Sequence, residues 1–529
     1  MGRAAQRQVP LVRRRFRAAT AQVRALAAHE TLRAVLLVLT ACLGVAAVAS
    51  RDGSLAGKGV GLGVAGLAIA AARRRRGLVV LVTVALVPTV PLLPAALLRF
   101  GAPLAVVRQY GHIKDLAVLY AVLGLLTATE RRRGPLDWVE RWGIAFVGLS
   151  VAYLVFPLAT PGFLAPSTSI RIYGWRQLAE WVVLLLALRR LILPHGTQRL
   201  VLRGVAVLAV LEGVLSLFQR VQAGSWSHFV TSTLQVRRYL QLALDSNVLG
   251  TPDAAVHNAF AGIETIRVGG LALQPLSTGG VCIVLSGLLA PVLVAERPHP
   301  AQLAALLGSL EAVVLTLTRS ALLGCAVAVA FVLFLARDHH VGARTRGVLL
   351  VVIGVLAGWP LLAASKVLIR ITSSIAGTDS STQDHVRSTS GAIGQIGREL
   401  LGAGLGTGPG VGFRFSTQGT VAENAYIQIA LEVGVVGAVC FTAMLVALVR
   451  SCLAAYRHDP AHTYPLGAAA ATVGLMAMSL LLDPWIDFGT IFLFAAVAGA
   501  VPYRRPAARA AQGLASARHP GAPAVAARE

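Results

Sequence analysis

The stretch TVAENAYIQIALEVGVVGAV, Thr420 to Val439, decides how the chain is read. It is mostly a membrane helix, yet it carries Glu423, Asn424, Gln428 and Glu432. Ionisable groups inside a bilayer are costly, so they face a bundle interior or mark a functional pathway. The two carboxylates are nine residues apart, about 13 Å along a helix axis and on opposite faces. Asn424, Gln428 and Glu432 recur every four residues and share one face. This places Glu423 at a membrane mouth and Glu432 deeper, facing other helices.

The rest of the chain supports a bilayer. Its 529 residues are 56% hydrophobic and 13% charged, with a mean hydropathy of +0.70. Soluble domains average about 25% charged. Fourteen apolar segments approach the roughly 20 residues a span requires. They are 34–50, 57–72, 77–98, 113–128, 143–158, 178–193, 201–220, 272–294, 301–317, 319–337, 347–364, 425–449, 464–482 and 487–502. The pair meeting at Thr318 could be one broken element, so the expectation is an all-α polytopic membrane protein of about 12–14 transmembrane helices. Pro88, Pro91 and Pro94 predict a kink or break in the third segment. No cleavable signal peptide is expected before the first segment.

The formal charge of +25 could suggest nucleic acid. However, runs such as Arg73–Arg76 and Glu130–Gly134 punctuate apolar segments, with no interleaved aromatics. Excess Arg on the cytoplasmic face is the simpler reading, and no nucleic acid partner is expected. With both termini inside, roughly two thirds of the Lys and Arg fall on the inner side. That divides the chain into a basic cytoplasmic N-tail (1–33), a membrane domain (34–502) and a disordered cytoplasmic C-tail (503–529). The loops 223–270 and 365–423 then face outward. The five cysteines show no CxxC spacing, so neither a disulfide framework nor a metal cluster is expected.

Within the second large loop, Val386, Ile393, Ile396 and Leu400 fall near one helical face. This predicts a short amphipathic helix over 384–401 lying on the membrane. The GAGLGTGPGVG run after it (402–412) lacks the Lys-Ser/Thr ending of a phosphate loop, and reads as an irregular turn delivering the chain to the next span.

Several arginines break the positive-inside pattern: Arg171, Arg176, Arg237, Arg238, Arg267, Arg319, Arg387 and Arg398. Arg319 is the sharpest, interrupting two apolar runs with almost no loop around it. Guanidinium forks suit phosphate because they bind two oxygens and keep their charge when desolvated. Outside a membrane the available phosphate is on lipids. A polyprenyl pyrophosphate carrying a sugar is the candidate, with arginines stabilising the departing diphosphate.

The long outer loop, then GAGLGTG, then ENAYIQIALEVGVVGAV, resembles the O-antigen ligase and polysaccharide polymerase family. LEGVLSLFQRVQAG (211–224), RVGGLALQPLSTGG (267–280) and LTLTRSALLG (315–324) are similar to further family stretches, in order. The resemblance covers about 200–450. It implies a multi-span, metal-independent glycosyltransferase of the cytoplasmic membrane, acting on its outer face without a cofactor. Such enzymes move a glycan from a polyprenyl-pyrophosphate carrier to a glycan or lipid acceptor, among membrane lipids and candidate envelope-synthesis partners. Arg267 and Arg319 match by motif. Glu423 stands where ligases often carry His, and Leu276 follows Pro275 where the family has Asn. The Glu423 departure leans away from a lipid A ligase and towards a polymerase, which is favoured, or a ligase for another acceptor.

The resulting expectation gives Arg267, Arg319 and Glu423 catalytic roles. Arg171, Arg176, Gln274, His385, Arg387, Asn424, Tyr426 and Gln428 would bind substrate, with His385 as an alternative base. The reading from another class is a transporter or flippase of lipid-linked saccharides, for which only Glu212, Glu311 and Glu432 offer charge near mid-membrane. A scaffold in an envelope-synthesis complex would not need the outer arginines.

Overall fold

A computed structural model describes residues 92–101, 135–156, 167–191, 196–236, 257–260, 263–295, 299–335, 380–408 and 422–501, with a few further positions. The expected N-tail, the first two spans, the span at 347–364 and the C-tail lie outside the described residues.

The described residues are overwhelmingly helical. The helices are α1 (Leu92–Arg99), α2 (Trp138–Val155), α3 (Thr168–Arg190), α4 (Thr197–Val221), α5 (Ala223–His228), α6 (Pro275–Leu289), α7 (Pro300–Thr316), α8 (Arg319–Leu335), α9 (Ser380–Arg398), α10 (Ala425–His458), α11 (Tyr464–Met478) and α12 (Phe488–Gly499). The sequence did not signal one addition, an antiparallel hairpin of β1 (His257–Phe260) and β2 (Ile263–Ile266), with His257 opposite Ile266. Among the described residues, four helical segments are long and apolar enough to cross a membrane: Trp138–Val155, Thr197–Val221, Pro275–Val294 and Ala425–His458. The protein is an all-α polytopic membrane protein.

Helix α6 is the axis of the bundle. It is apolar all round, and nearly every residue is buried, which is the pattern of a helix enclosed by others. Its small residues allow close approach. A Cβ at Gly279 would meet Ala321 of α8 at 2.7 Å, one at Gly280 would meet Thr490 of α12 at 2.4 Å, and one at Gly287 would meet Ala471 of α11 at 2.5 Å. Helix α4 packs on α7 in the same way, Gly213 lying against the Gly308 backbone.

Two reversals define the ends of the bundle. At one end Asp137 caps α2 with Glu140 in a capping box. The same carboxylates take Arg189 at 2.6 Å and Arg190 at 2.5 Å from the end of α3. At the other end α7 stops at Leu317, whose φ of +54° reverses the chain, and α8 starts at Arg319. The run through Thr318 is therefore two spans. Helix α1 starts at Leu92, with Pro94 in its first turn, where a missing N–H costs little.

Candidate functional site

Hydrogen bonds join one set of helix ends into a single surface. Ala425 N–H at the start of α10 donates to Ser479 O beyond α11 at 2.9 Å. The Thr490 hydroxyl of α12 donates to Ser277 O of α6 at 3.4 Å. Gln177 of α3 donates to Ile486 O at 2.9 Å, and Arg171 to Leu154 O at the end of α2 at 2.6 Å. The end of α7 and the start of α8 join this surface through Thr318, whose hydroxyl approaches Pro275 O at 3.4 Å. Arg267, Arg319, Gln274 and Glu423 thus lie at the same end of the bundle, although 156 positions of sequence separate the outermost pair.

Arg267 leaves β2 and turns its guanidinium onto the α7–α8 reversal. Its Nε donates to Thr316 O and its Nη2 to the Thr318 hydroxyl, both at 3.0 Å. Val268 N–H adds a bond to Leu315 O at 3.1 Å. Burial, and then the neighbouring charge of Arg319, push the Arg267 pKa down to about 10. Arg267, bonded to Thr318 beside Arg319, is therefore near enough to feel that charge and is partly removed from water. Such a pair favours an anion with oxygens for both forks.

The helix quoted at the outset is broken. Asn424 caps it, its Oδ1 accepting from Tyr426 and Ile427 N–H at 3.0 and 3.1 Å. The helix then unwinds at Val433 and Gly434, where Gly434 takes φ +74° and ψ 170°. The Gly-rich turn pairs with this break like a strand. Ala403 N–H donates to Leu431 O at 2.5 Å, Gly404 N–H to Glu432 O at 3.1 Å, and Val435 N–H to Leu400 O at 3.0 Å. The Glu432 side chain completes the latch, accepting from Gln428 at 3.1 Å and from Gly406 N–H at 3.4 Å. A Cβ on Gly408 would fall 1.8 Å from its Oε1. The span expected over 425–449 is present, with a break at Val433 and Gly434 that its sequence did not signal.

The other candidates separate by environment. Gln428 is buried, and its carbonyl accepts from Ala422 N–H at 3.1 Å. The Asn424 amide donates to Leu480 O at 2.9 Å, and the Tyr426 hydroxyl to Met476 O at 3.1 Å. All three fix the entry to α10. Between Ala422 and Asn424, Glu423 is half-buried. Gln274 is exposed and caps α6, accepting from Ser277 at 3.2 Å. Arg171 serves the end of α2, and Arg176 sits 3.7 Å from Glu180 and 5.8 Å from the Tyr173 ring. Arg387 is exposed on α9. The side chains of His385 and Arg237 lie outside the described residues. Helix α9 covers 380–398 rather than 384–401; Ala392 and Ile396 dock it on Ala422, Ile427 and Leu431, while Val386, Ile393 and Leu400 stay exposed.

From the sequence, Asp483 and Gln219 carried no site role, and Glu212 counted only as a charge near mid-membrane. Asp483, in the α11–α12 connection, is buried and accepts from Trp485 N–H at 2.9 Å. Gln219 and Glu212, seven apart on one face of α4, contact the turn after Arg267. Their heptad spacing on a span was the available signal.

Residues 304–442 match the family model described as O-antigen ligase. Over this stretch the chain is similar to the O-antigen ligase family. The match runs from α7 through Arg319, α9 and the Gly-rich turn to the far side of the break in α10. It therefore includes Arg319 and Glu423, and stops short of Arg267 on the N-terminal side. No curated protein matches the chain. The match covers about a quarter of the chain and takes in the α7–α8 reversal, the Gly-rich turn and Glu423.

Proposed function

We propose that the protein transfers a glycan from a polyprenyl-pyrophosphate carrier to a glycan or other acceptor on the outer face of the cytoplasmic membrane, as a polymerase rather than a ligase. The observation that carries this reading is the Arg267–Arg319 pair at the end of the bundle that also presents Glu423. The diphosphate sits between the two guanidinium groups, which gain charge neutralisation as the anomeric C–O bond breaks and the leaving diphosphate takes up negative charge. Glu423 accepts the proton of the acceptor hydroxyl as that oxygen attacks the anomeric carbon, inverting its configuration. A positioned carboxylate contributes about 10²–10⁴-fold in such a role. Asn424 and Tyr426 hold the turn that presents it. Glu423 at the position where ligases often carry His favours the polymerase. Both termini lie in the cytoplasm in this reading, which the excess of Lys and Arg on that side supports.

The test is reconstitution in liposomes with a polyprenyl-pyrophosphate oligosaccharide and no nucleotide. Longer lipid-linked glycans, abolished by Arg319→Ala and reduced by Glu423→Gln, are the expected products. Glycolipid crossing between leaflets with no new glycosidic bond would instead establish a flippase.

A further inference from the structure

Arg267 is held beside a like charge, so something other than mutual attraction must fix it there. Its own two hydrogen bonds run to Thr316 O and the Thr318 hydroxyl. The backbone just after it is anchored from a different helix. Gln219, buried near the end of α4, accepts with Oε1 from both Gly269 N–H at 3.2 Å and Gly270 N–H at 2.9 Å. Its Nε2 donates back to Gly270 O at 3.0 Å. Two turns earlier on the same face, the wholly buried Glu212 accepts from Leu271 N–H at 3.1 Å. From α6, the Thr278 hydroxyl donates to Gly269 O at 2.6 Å. One side-chain amide thus satisfies both polar groups of Gly270 and one of Gly269.

The fit is close. Gly270 has φ +53°, and a Cβ there would lie 2.3 Å from Glu212 Oε2 and 2.6 Å from the Thr278 hydroxyl. A Cβ at Gly269 would meet the Leu273 backbone at 2.6 Å. The turn cannot shift without leaving buried donors unmatched, which costs about 1–3 kcal/mol per group. It can therefore withstand the repulsion between Arg267 and Arg319 without anion present.

We propose that Gln219, with Glu212 beneath it, is a positioning residue that holds Arg267 beside Arg319 in readiness for a diphosphate. This rests on the diphosphate reading given above. Gln219 touches no substrate and acts through the 268–271 backbone. A reaction centre displaced by about 1 Å can lose about 10²-fold in rate, so the effect of Gln219 should be large for a residue outside the anion's reach.

The experiment is a double-mutant cycle on the full chain in nanodiscs, with inorganic pyrophosphate as the probe of affinity and lipid-linked glycan turnover as the probe of rate. Wild type, Arg267→Ala, Gln219→Leu and the double variant are compared at matched folding. Gln219→Leu is expected to weaken pyrophosphate binding by about tenfold or more, and the double variant to be no weaker than Arg267→Ala alone, because coupled groups are non-additive. If Gln219→Leu does not fold, Gln219→Asn, which keeps the amide but shortens its reach by one methylene, is read the same way. Losses that simply add, or unchanged affinity in folded Gln219→Leu, would overturn the positioning role while leaving the arginine site standing. If Arg267→Ala itself binds pyrophosphate and turns over normally, the diphosphate reading and the positioning role fall together.

Discussion

Glu432 accepts from the Gly-rich turn twice: its backbone carbonyl takes the Gly404 N–H at 3.1 Å, and its carboxylate takes the Gly406 N–H at 3.4 Å. This is why a bilayer helix keeps a polar stripe. Breaking α10 at Val433 and Gly434 frees backbone carbonyls that lipid cannot satisfy. The Gly-rich turn supplies the donors, Glu432 and Gln428 hold it in place, and Asn424 caps the start. The stripe thus supports a discontinuous helix whose first half directly follows Glu423.

Glu432→Ala should therefore act on stability before chemistry. It leaves the Gly406 N–H and the Gln428 amide without their buried acceptor, at about 1–3 kcal/mol for each group. Glu432→Gln keeps an acceptor and should lose less. Thermal unfolding in nanodiscs is expected to rank wild type above Gln and Gln above Ala, with any correctly folded variant still active. A folded, fully stable Glu432→Ala that has lost turnover would show instead that the carboxylate takes part in the reaction.

Gly434→Ala tests the break itself. Its φ of +74° disfavours an L side chain, and a Cβ would sit 2.8 Å from Leu401 O. Strain of this kind costs about 1–3 kcal/mol. The opposing Gly402 is equally confined, its Cβ position lying 2.7 Å from Gly434 N. Both alanine variants should lower the unfolding temperature and expose the 400–408 segment to protease. A neutral Gly434→Ala would mean that α10 tolerates a continuous helix.

The sequence carried much of this arrangement, and the reasons are physical. Hydrophobic runs locate spans because a bilayer demands them, so α4, α7, α8 and α10 begin within a few residues of their apolar segments. Arg319 stood out because charge between two spans is rare. The hairpin before Arg267 was not legible, since four-residue strands carry little periodic signal. Nor was the break at Gly434, because one glycine in an apolar helix is ordinary until its partner strand is known. Gln428 illustrates the limit: spacing placed it on the interior face, but only the Ala422 and Glu432 contacts reveal that its amide is already engaged.

The arginine pair makes a prediction about anions and pH. Arg267 stays protonated below its depressed pKa of about 10, so pyrophosphate should stabilise the protein at neutral pH and up to about 9. For a base, charge is lost as pH rises through the pKa, so the stabilisation should fall away above about 10. Arg319→Gln removes the neighbouring charge, which should move that loss to higher pH while weakening binding at pH 7. Thermal shifts with and without pyrophosphate across this range provide the check. A shift that is flat with pH and insensitive to Arg319→Gln would locate the anion elsewhere.

Asp483 gives a dependence of the same sign at lower pH, through stability alone. Burial pushes its pKa up to about 7, only partly offset by the Trp485 N–H it accepts. A carboxyl whose pKa is raised in the folded state stabilises fully below its unfolded pKa near 4, and that contribution is lost as pH rises through about 7. Asp483→Asn keeps an oxygen for the Trp485 N–H and removes the ionisation. The connection it caps is rigid: Trp485 stacks on Trp181 with centroids 5.0 Å apart, and its Nε1 donates to Ser479 at 2.8 Å. Relocation of the side chain to water is therefore not an easy escape. The variant should match wild type near pH 4.5 and be more stable by on the order of 1–2 kcal/mol at pH 8. Unfolding temperatures of the two proteins measured from pH 4.5 to 8 should diverge upward through neutrality; parallel curves would mean that Asp483 is ionised, and compensated, across the whole range.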